Sequence, residues 1–113
     1  MKRDIRVYLE DILESIAKIE AYTADVTLEQ FRENGQIQDA VIRRLEIIGE
    51  AVKHIPDNIR VKHPDVPWKN IAGMRDVLIH GYFGVNVERT WKVAKENLPL
   101  VKKEILAMKA ESA

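Results

Sequence analysis

Arg75, Asp76 and His80 stand close together in the run Arg75-Asp-Val-Leu-Ile-His80-Gly-Tyr82, and their side chains are those that acid–base and phosphate chemistry use. An imidazole titrates near neutral pH and can give or take a proton. A guanidinium can clamp a phosphate through two hydrogen bonds and stabilise charge that develops on it. Asp76 and His80 are four apart, so on a helix they are neighbours; the carboxylate favours the charged ring and fixes its orientation. Taken alone, the pair also reads as a surface salt link near a helix C-terminus, where a cation sits well with the dipole.

The elements that must position these groups are helical. Ile5, Leu9, Ile12, Ile16 and Ile19 alternate four and three apart, which predicts one apolar stripe on a helix running to about Tyr22. Thr27 is placed to cap a short turn over Leu28 to Arg32, and Asn34-Gly35 punctuates the chain. Ile37, Val41, Leu45, Ile48 and Val52 form the stripe of a second long helix. Pro56 and Asp57 restart the chain in a helical turn that His63-Pro64 ends. Pro67 suits the first position of the next helix, whose apolar face is Ile71, Met74 and Leu78, with Gly81 and Gly84 as its stop. Asn86 is the expected cap of the last helix, with Glu88 and Arg89 in its first turn. Its stripe is Ala94, Leu98, Val101, Ile105 and Met108; Pro99 predicts a kink or break near Asn97 with the apolar phase carried across. The expected fold is therefore all-α: an antiparallel bundle of four to five helices, forming one domain over residues 1–113.

Composition narrows the function classes. Hydrophobic residues are 46% and charged residues 32%, a globular balance. Eighteen basic residues offset eighteen acidic ones, which argues against a non-specific nucleic-acid coat but leaves room for a local basic site. There is no cysteine, so thiol nucleophiles and cysteine metal sites are excluded together. His54, His63 and His80 lack a helical metal spacing, and neither a metal nor another cofactor is expected. No apolar run approaches the ~18 residues of a membrane span, and the basic start leads into an amphipathic stretch; a cytoplasmic protein is the expectation.

The motif Arg75, four residues, His80, one residue, Tyr82 resembles that of the HepT-like toxins, members of the HEPN superfamily of helical RNA-processing domains. The likeness extends to Tyr8-Leu-Glu-Asp-Ile-Leu, to Ala40-Val-Ile-Arg-Arg-Leu-Glu-Ile-Ile-Gly-Glu-Ala and to Pro67-Trp-Lys-Asn-Ile-Ala-Gly-Met-Arg75, and so covers nearly the whole chain. It implies a homodimer that brings two motif helices together, and a metal-independent endoribonuclease in which the RNA 2′-OH attacks the adjacent phosphate. It implies Arg75 and His80 as catalytic residues. It further implies a type VII toxin–antitoxin pair, whose partner is a minimal nucleotidyltransferase antitoxin that silences the toxin by transferring AMP to Tyr82.

Helix geometry adds a constraint of its own. Arg75 and His80 are five positions apart, so on one helix they diverge by ~140° and about 7.5 Å. A two-fold dimer would place two copies of each around a shared cleft. Asp76 supports the site as orienter of His80. Arg43, Arg44 and Lys69 are candidate RNA contacts, although Arg43 and Arg44 also read as a solvated face linked to Glu46 and Glu50. Arg60, Lys62 and His63, with Lys69, precede the motif and could guide phosphate towards it. Trp68 and Trp91 could stack bases, but in so small a core they read first as packing anchors. The competing function is a non-catalytic subunit that docks a nucleotidyltransferase or holds a nucleotide phosphate through Arg75 and His80. Growth arrest on expression without the neighbouring gene, relieved by His80→Ala, separates the two.

Overall fold

The computed structural model describes residues 4–73 and 87–111. Among them every regular element is helical. Helix α1 spans Ile5–Thr23, α2 Leu28–Glu33, α3 Gly35–Val52 and α4 Asp57–Arg60. The next helix, α5, is described over residues 68–73. Helix α6 covers Val87–Lys92, a π-helical turn covers Val93–Asn97, and α7 covers Leu98–Glu111.

The stripes read from the sequence are the core. Leu9, Ile12, Ile16 and Ile19 of α1 meet Val41, Leu45, Ile48 and Val52 of α3 and Val101, Ile105 and Met108 of α7, all essentially withdrawn from water. Each such side chain contributes about 1.5–3 kcal/mol by leaving solvent. Ile5 and Ile37, at the ends of their stripes, are only half-buried. Helix α1 packs on both α3 and α7, and α2 bridges α3 and α6. Ion pairs fix the α1–α7 direction. Glu20 meets Lys102 at 3.1 Å and Glu10 meets Lys109, so one helix descends as the other rises. Tyr8, near the start of α1, stacks on His54, just past the end of α3, which makes that pair antiparallel too.

The caps explain where helices begin and end. Thr27 and Gln30 form a reciprocal capping box at the start of α2. Asn34 ends α2 and starts α3, its side chain accepting from the Ile37 amide at 3.0 Å. Gln38 of α3 then reaches back, donating to the carbonyl of Arg32 at 3.0 Å and to that of Phe31 at 2.8 Å, which also accepts from the Asn34 amide at 3.3 Å. Between α1 and α2 the chain turns through Asp25, at φ 59°, a left-handed conformation that Asp tolerates better than most side chains.

Two expectations are refined. Pro67 lies one residue before α5 rather than inside it: its carbonyl accepts from the Ile71 amide at 3.0 Å, and the helix starts at Trp68. The disturbance expected at Pro99 is a single π turn. The Leu98 amide donates to the carbonyl of Val93, five residues back, and the helix continues. The apolar phase does carry across, since Ala94, Leu98, Val101, Ile105 and Met108 are all buried. Thr90, Ala94 and Leu98 follow one another at steps of four, each overshooting an α turn by ~40°. The wider π turn takes back that excess and keeps the three on one face. The stop expected at Gly81 and Gly84, the cap expected at Asn86, and Met74 and Leu78 lie outside the described residues.

Candidate functional site

Arg75, Asp76, His80 and Tyr82 fall in residues 74–86, outside those described. The described structure shows what holds the chain on either side of them. On the entry side, Trp68 opens α5 with 9% of its surface exposed. Its indole N–H donates to the carbonyls of Arg60, at 3.2 Å, and His63, at 3.0 Å. Trp68 is therefore a packing anchor that staples α5 to the turn after α4. On the exit side, Arg32 of α2 pairs with Glu88 of α6 at 2.6 Å. The Trp91 ring meets the buried Phe31 ring at 5.1 Å and 42°. Lys95 lies over the Trp91 ring, its Nζ 5.1 Å from the ring centroid, and donates to the Thr23 carbonyl at 3.1 Å, closing the end of α1. Both tryptophans thus serve the scaffold.

The basic residues flanking the motif divide into different roles. Arg43 is exposed and pairs with Glu46 at 3.4 Å, in keeping with the solvated-face reading. Arg44 is half-buried on the same helix, and Lys69 is exposed on α5. Lys62 is exposed, but Arg60 is turned to Asp57 at 2.7 Å. His63 does not fit the expected phosphate guide. Its side chain is 7% exposed, and it sits between two carboxylates of α7. Nδ1 lies 2.6 Å from Glu104 and Nε2 3.4 Å from Glu111. The hydrogen bond to Glu104 is the main cause that raises the pKa of His63 above the ordinary histidine value; burial opposes it and Glu111 adds to it. The two acidic groups use opposite ring nitrogens, so the trio cannot converge on one metal ion. Neither Glu104 nor Glu111 stood out in the sequence, for their partner is more than forty positions away and no local spacing points to it.

A second cluster marks the α1–α3 edge. Tyr8 and His54 stack with centroids 4.5 Å apart and planes 8° from parallel, and His54 lies 3.7 Å from Glu50. The offset of one turn between Glu50 and His54 makes them helix-end neighbours.

An all-helical bundle with an Arg–His–Tyr motif between two firmly anchored elements is the class that these observations define. The chain matches the HepT-like ribonuclease family over residues 12–108, and it belongs to that family. It is 51% identical over 102 residues to a protein of Thermococcus cleftensis named "probable ribonuclease HepT", covering 90% of this chain and 93% of that one. A "putative RNase" of Methanocaldococcus jannaschii is 47% identical over 104 residues, covering 92% and 95%. Another protein of that organism, named as a gamma-glutamylcyclotransferase and "putative RNase", is 50% identical over 111 residues; the match covers 98% of this chain but half, 50%, of that protein. No solved structure matches the chain. Family membership places the protein, by resemblance, among RNA-cleaving enzymes. Among the described residues no helix is long and apolar enough to cross a membrane.

Proposed function

We propose that this chain is a metal-independent endoribonuclease toxin of a type VII toxin–antitoxin pair, built as one domain over residues 1–113 and acting as a homodimer. The observation that carries the reading is the motif Arg75…His80-Gly-Tyr82 within a chain of the HepT-like ribonuclease family. In the reaction, the 2′-oxygen of one nucleotide attacks the adjacent phosphorus. Its proton leaves to a base, the bond to the 5′-oxygen breaks, and that oxygen takes a proton. The ends are a cyclic phosphate and a 5′-hydroxyl.

His80 moves the protons, oriented by Asp76, and Arg75 stabilises charge on the pentacoordinate phosphorus. The five-residue spacing favours a composite site in which two subunits pool their copies. Arg43, Arg44 and Lys69 are candidate RNA contacts beside it; the exposure of Arg43 and Lys69 is compatible with that role.

Silencing follows from Tyr82. Its phenolic oxygen attacks the α-phosphorus of ATP, held by a minimal nucleotidyltransferase antitoxin. Pyrophosphate leaves, the phenolic proton is lost, and AMP stays on the ring. The added anion would compete with RNA phosphate for Arg75 and His80.

Mixing tests the composite site. Heterodimers of Arg75→Ala and His80→Ala chains retain one intact pair of groups if the site is shared, and are expected to regain cleavage that either homodimer lacks. Cleavage by the two mutant homodimers equal to wild type would place the active site elsewhere.

A further inference from the structure

The buried trio of His63, Glu104 and Glu111 has no part in the chemistry above, and its position in the chain suggests what it does. Both ring nitrogens of His63 face carboxylate oxygens. A neutral imidazole has one N–H, so only the charged ring can donate to both. The backbone of the same residue holds the start of α5: the His63 carbonyl accepts from the Trp68 indole at 3.0 Å and from the Val66 amide at 3.2 Å. The Trp68 amide in turn donates to the Val66 carbonyl at 2.8 Å. One residue therefore grips α7 with its side chain and the first residue of α5 with its carbonyl. Arg75 follows Trp68 by seven positions.

We propose that His63 is a positioning residue, a charged imidazole that latches the entry to the motif segment onto α7 and loosens that grip when it loses its proton. The proposal rests on Arg75 and His80 being the catalytic groups, and it names a regulation of that site by pH. The neighbouring charges leave the latch to α7. Glu104 is mostly buried, with 18% of its side chain exposed, and Glu111 closes the outer side. Lys109 of the same helix is engaged with Glu10 of α1. On α4, Asp57 and Arg60 bond each other. Along the loop and α5, Lys62, Asp65 and Lys69 are exposed to water, where their fields are screened. The raised pKa of His63 agrees with this geometry.

The test follows the His63 ring and the backbone of residues 68–73 by NMR across pH, in the full wild-type chain and in Glu104→Gln. His63 of the wild type is expected to titrate above the ordinary histidine value, and amide protection at residues 68–73 to fall over the same range. Glu104→Gln is expected to move both to lower pH together. With a single-stranded RNA oligonucleotide as probe, the alkaline limb of kcat moves with them while KM holds. Should Glu104→Gln not fold, Glu111→Gln gives a smaller shift in the same direction. Protection at residues 68–73 that stays flat through the titration of His63 overturns the latch, as does a kcat limb that stays put while His63 shifts. A wild type that leaves RNA intact overturns the catalytic reading instead, and the protection factors still decide the latch.

Discussion

The indole N–H of Trp68 donates to the carbonyl of His63 at 3.0 Å, across four intervening residues that include two prolines. A buried ring thus serves as the staple that starts α5. Trp68→Phe keeps most of the apolar volume but leaves the carbonyls of Arg60 and His63 without this donor, and should cost about 1 kcal/mol. Trp68→Ala also empties the site and should cost about 3–5 kcal/mol. Urea denaturation of the two variants checks the order; a Phe variant as stable as wild type would mean that the hydrogen bond contributes nothing, and equal losses that the ring's volume adds nothing to it.

Phe31 and Arg32 are adjacent but make opposite kinds of contact. Phe31 is fully buried against Trp91, whereas the Arg32–Glu88 pair is open to water, with 45% and 62% of the side chains exposed. Phe31→Ala should lose about 3–5 kcal/mol by creating a cavity. Arg32→Ala should lose no more than about 1 kcal/mol, and less as salt is added. Thermal melts at low and high ionic strength separate the two.

Thr27 closes the capping box of α2, its hydroxyl accepting from the Gln30 amide at 3.1 Å. Thr27→Ala should destabilise by about 0.5–2 kcal/mol, and Thr27→Ser by much less. Equilibrium denaturation of both variants is the check, and a Ser variant as weak as the Ala variant would speak against the cap.

Stability should depend on pH through His63 with a definite sign. Its pKa in the folded chain is raised above the 6.5 of an ordinary histidine. The folded state therefore holds the proton more tightly than the unfolded one. The stabilisation is complete below that ordinary value and fades as pH rises through the raised folded value. Relative to wild type, His63→Gln should lose about 1.5–3 kcal/mol in acid, with the difference narrowing towards alkaline pH. Denaturation midpoints of both proteins over a pH series measure it; a gap that widens with pH would reverse the assignment.

Tyr82→Phe should go on cleaving RNA while escaping the antitoxin. Incubated with the partner nucleotidyltransferase and ATP, wild-type chain should gain one AMP by intact mass, and the Phe variant none. An adduct of the same size on Tyr82→Phe would move the acceptor to another residue.

The fold was legible where local spacing decides it. Ile12, Ile16 and Ile19 had to share a face at helical period, and they are buried together. Thr27 announced a helix start because a short acceptor side chain before an apolar run has few other uses, whereas Asn34 read only as punctuation and its cap on α3 came with the structure. Pro99 announced a disturbance, but only the packing of Ala94 and Leu98 selected a π turn over a kink. His63 was misplaced among phosphate guides because its sequence neighbours Arg60 and Lys62 are basic. Its true partners arrive only when α7 folds back, with Glu104 forty-one positions further on. The motif residues Arg75, Asp76, His80 and Tyr82 remain readings of the sequence and of family membership, since nothing in a helical period distinguishes a nuclease from a salt link.

The π turn at Val93–Asn97 also bears on how the chain can change length. A stretch that already departs from the α repeat is where a single residue can be gained or lost without turning the following stripe out of the core. Deleting Lys95 or Glu96 would return the ladder to steps of four. It would also set Pro99, which has no amide proton, against a carbonyl four residues back that expects one. Tolerance of the deletion is thus tied to the proline, and a deletion joined to Pro99→Ala should fold where the deletion alone struggles.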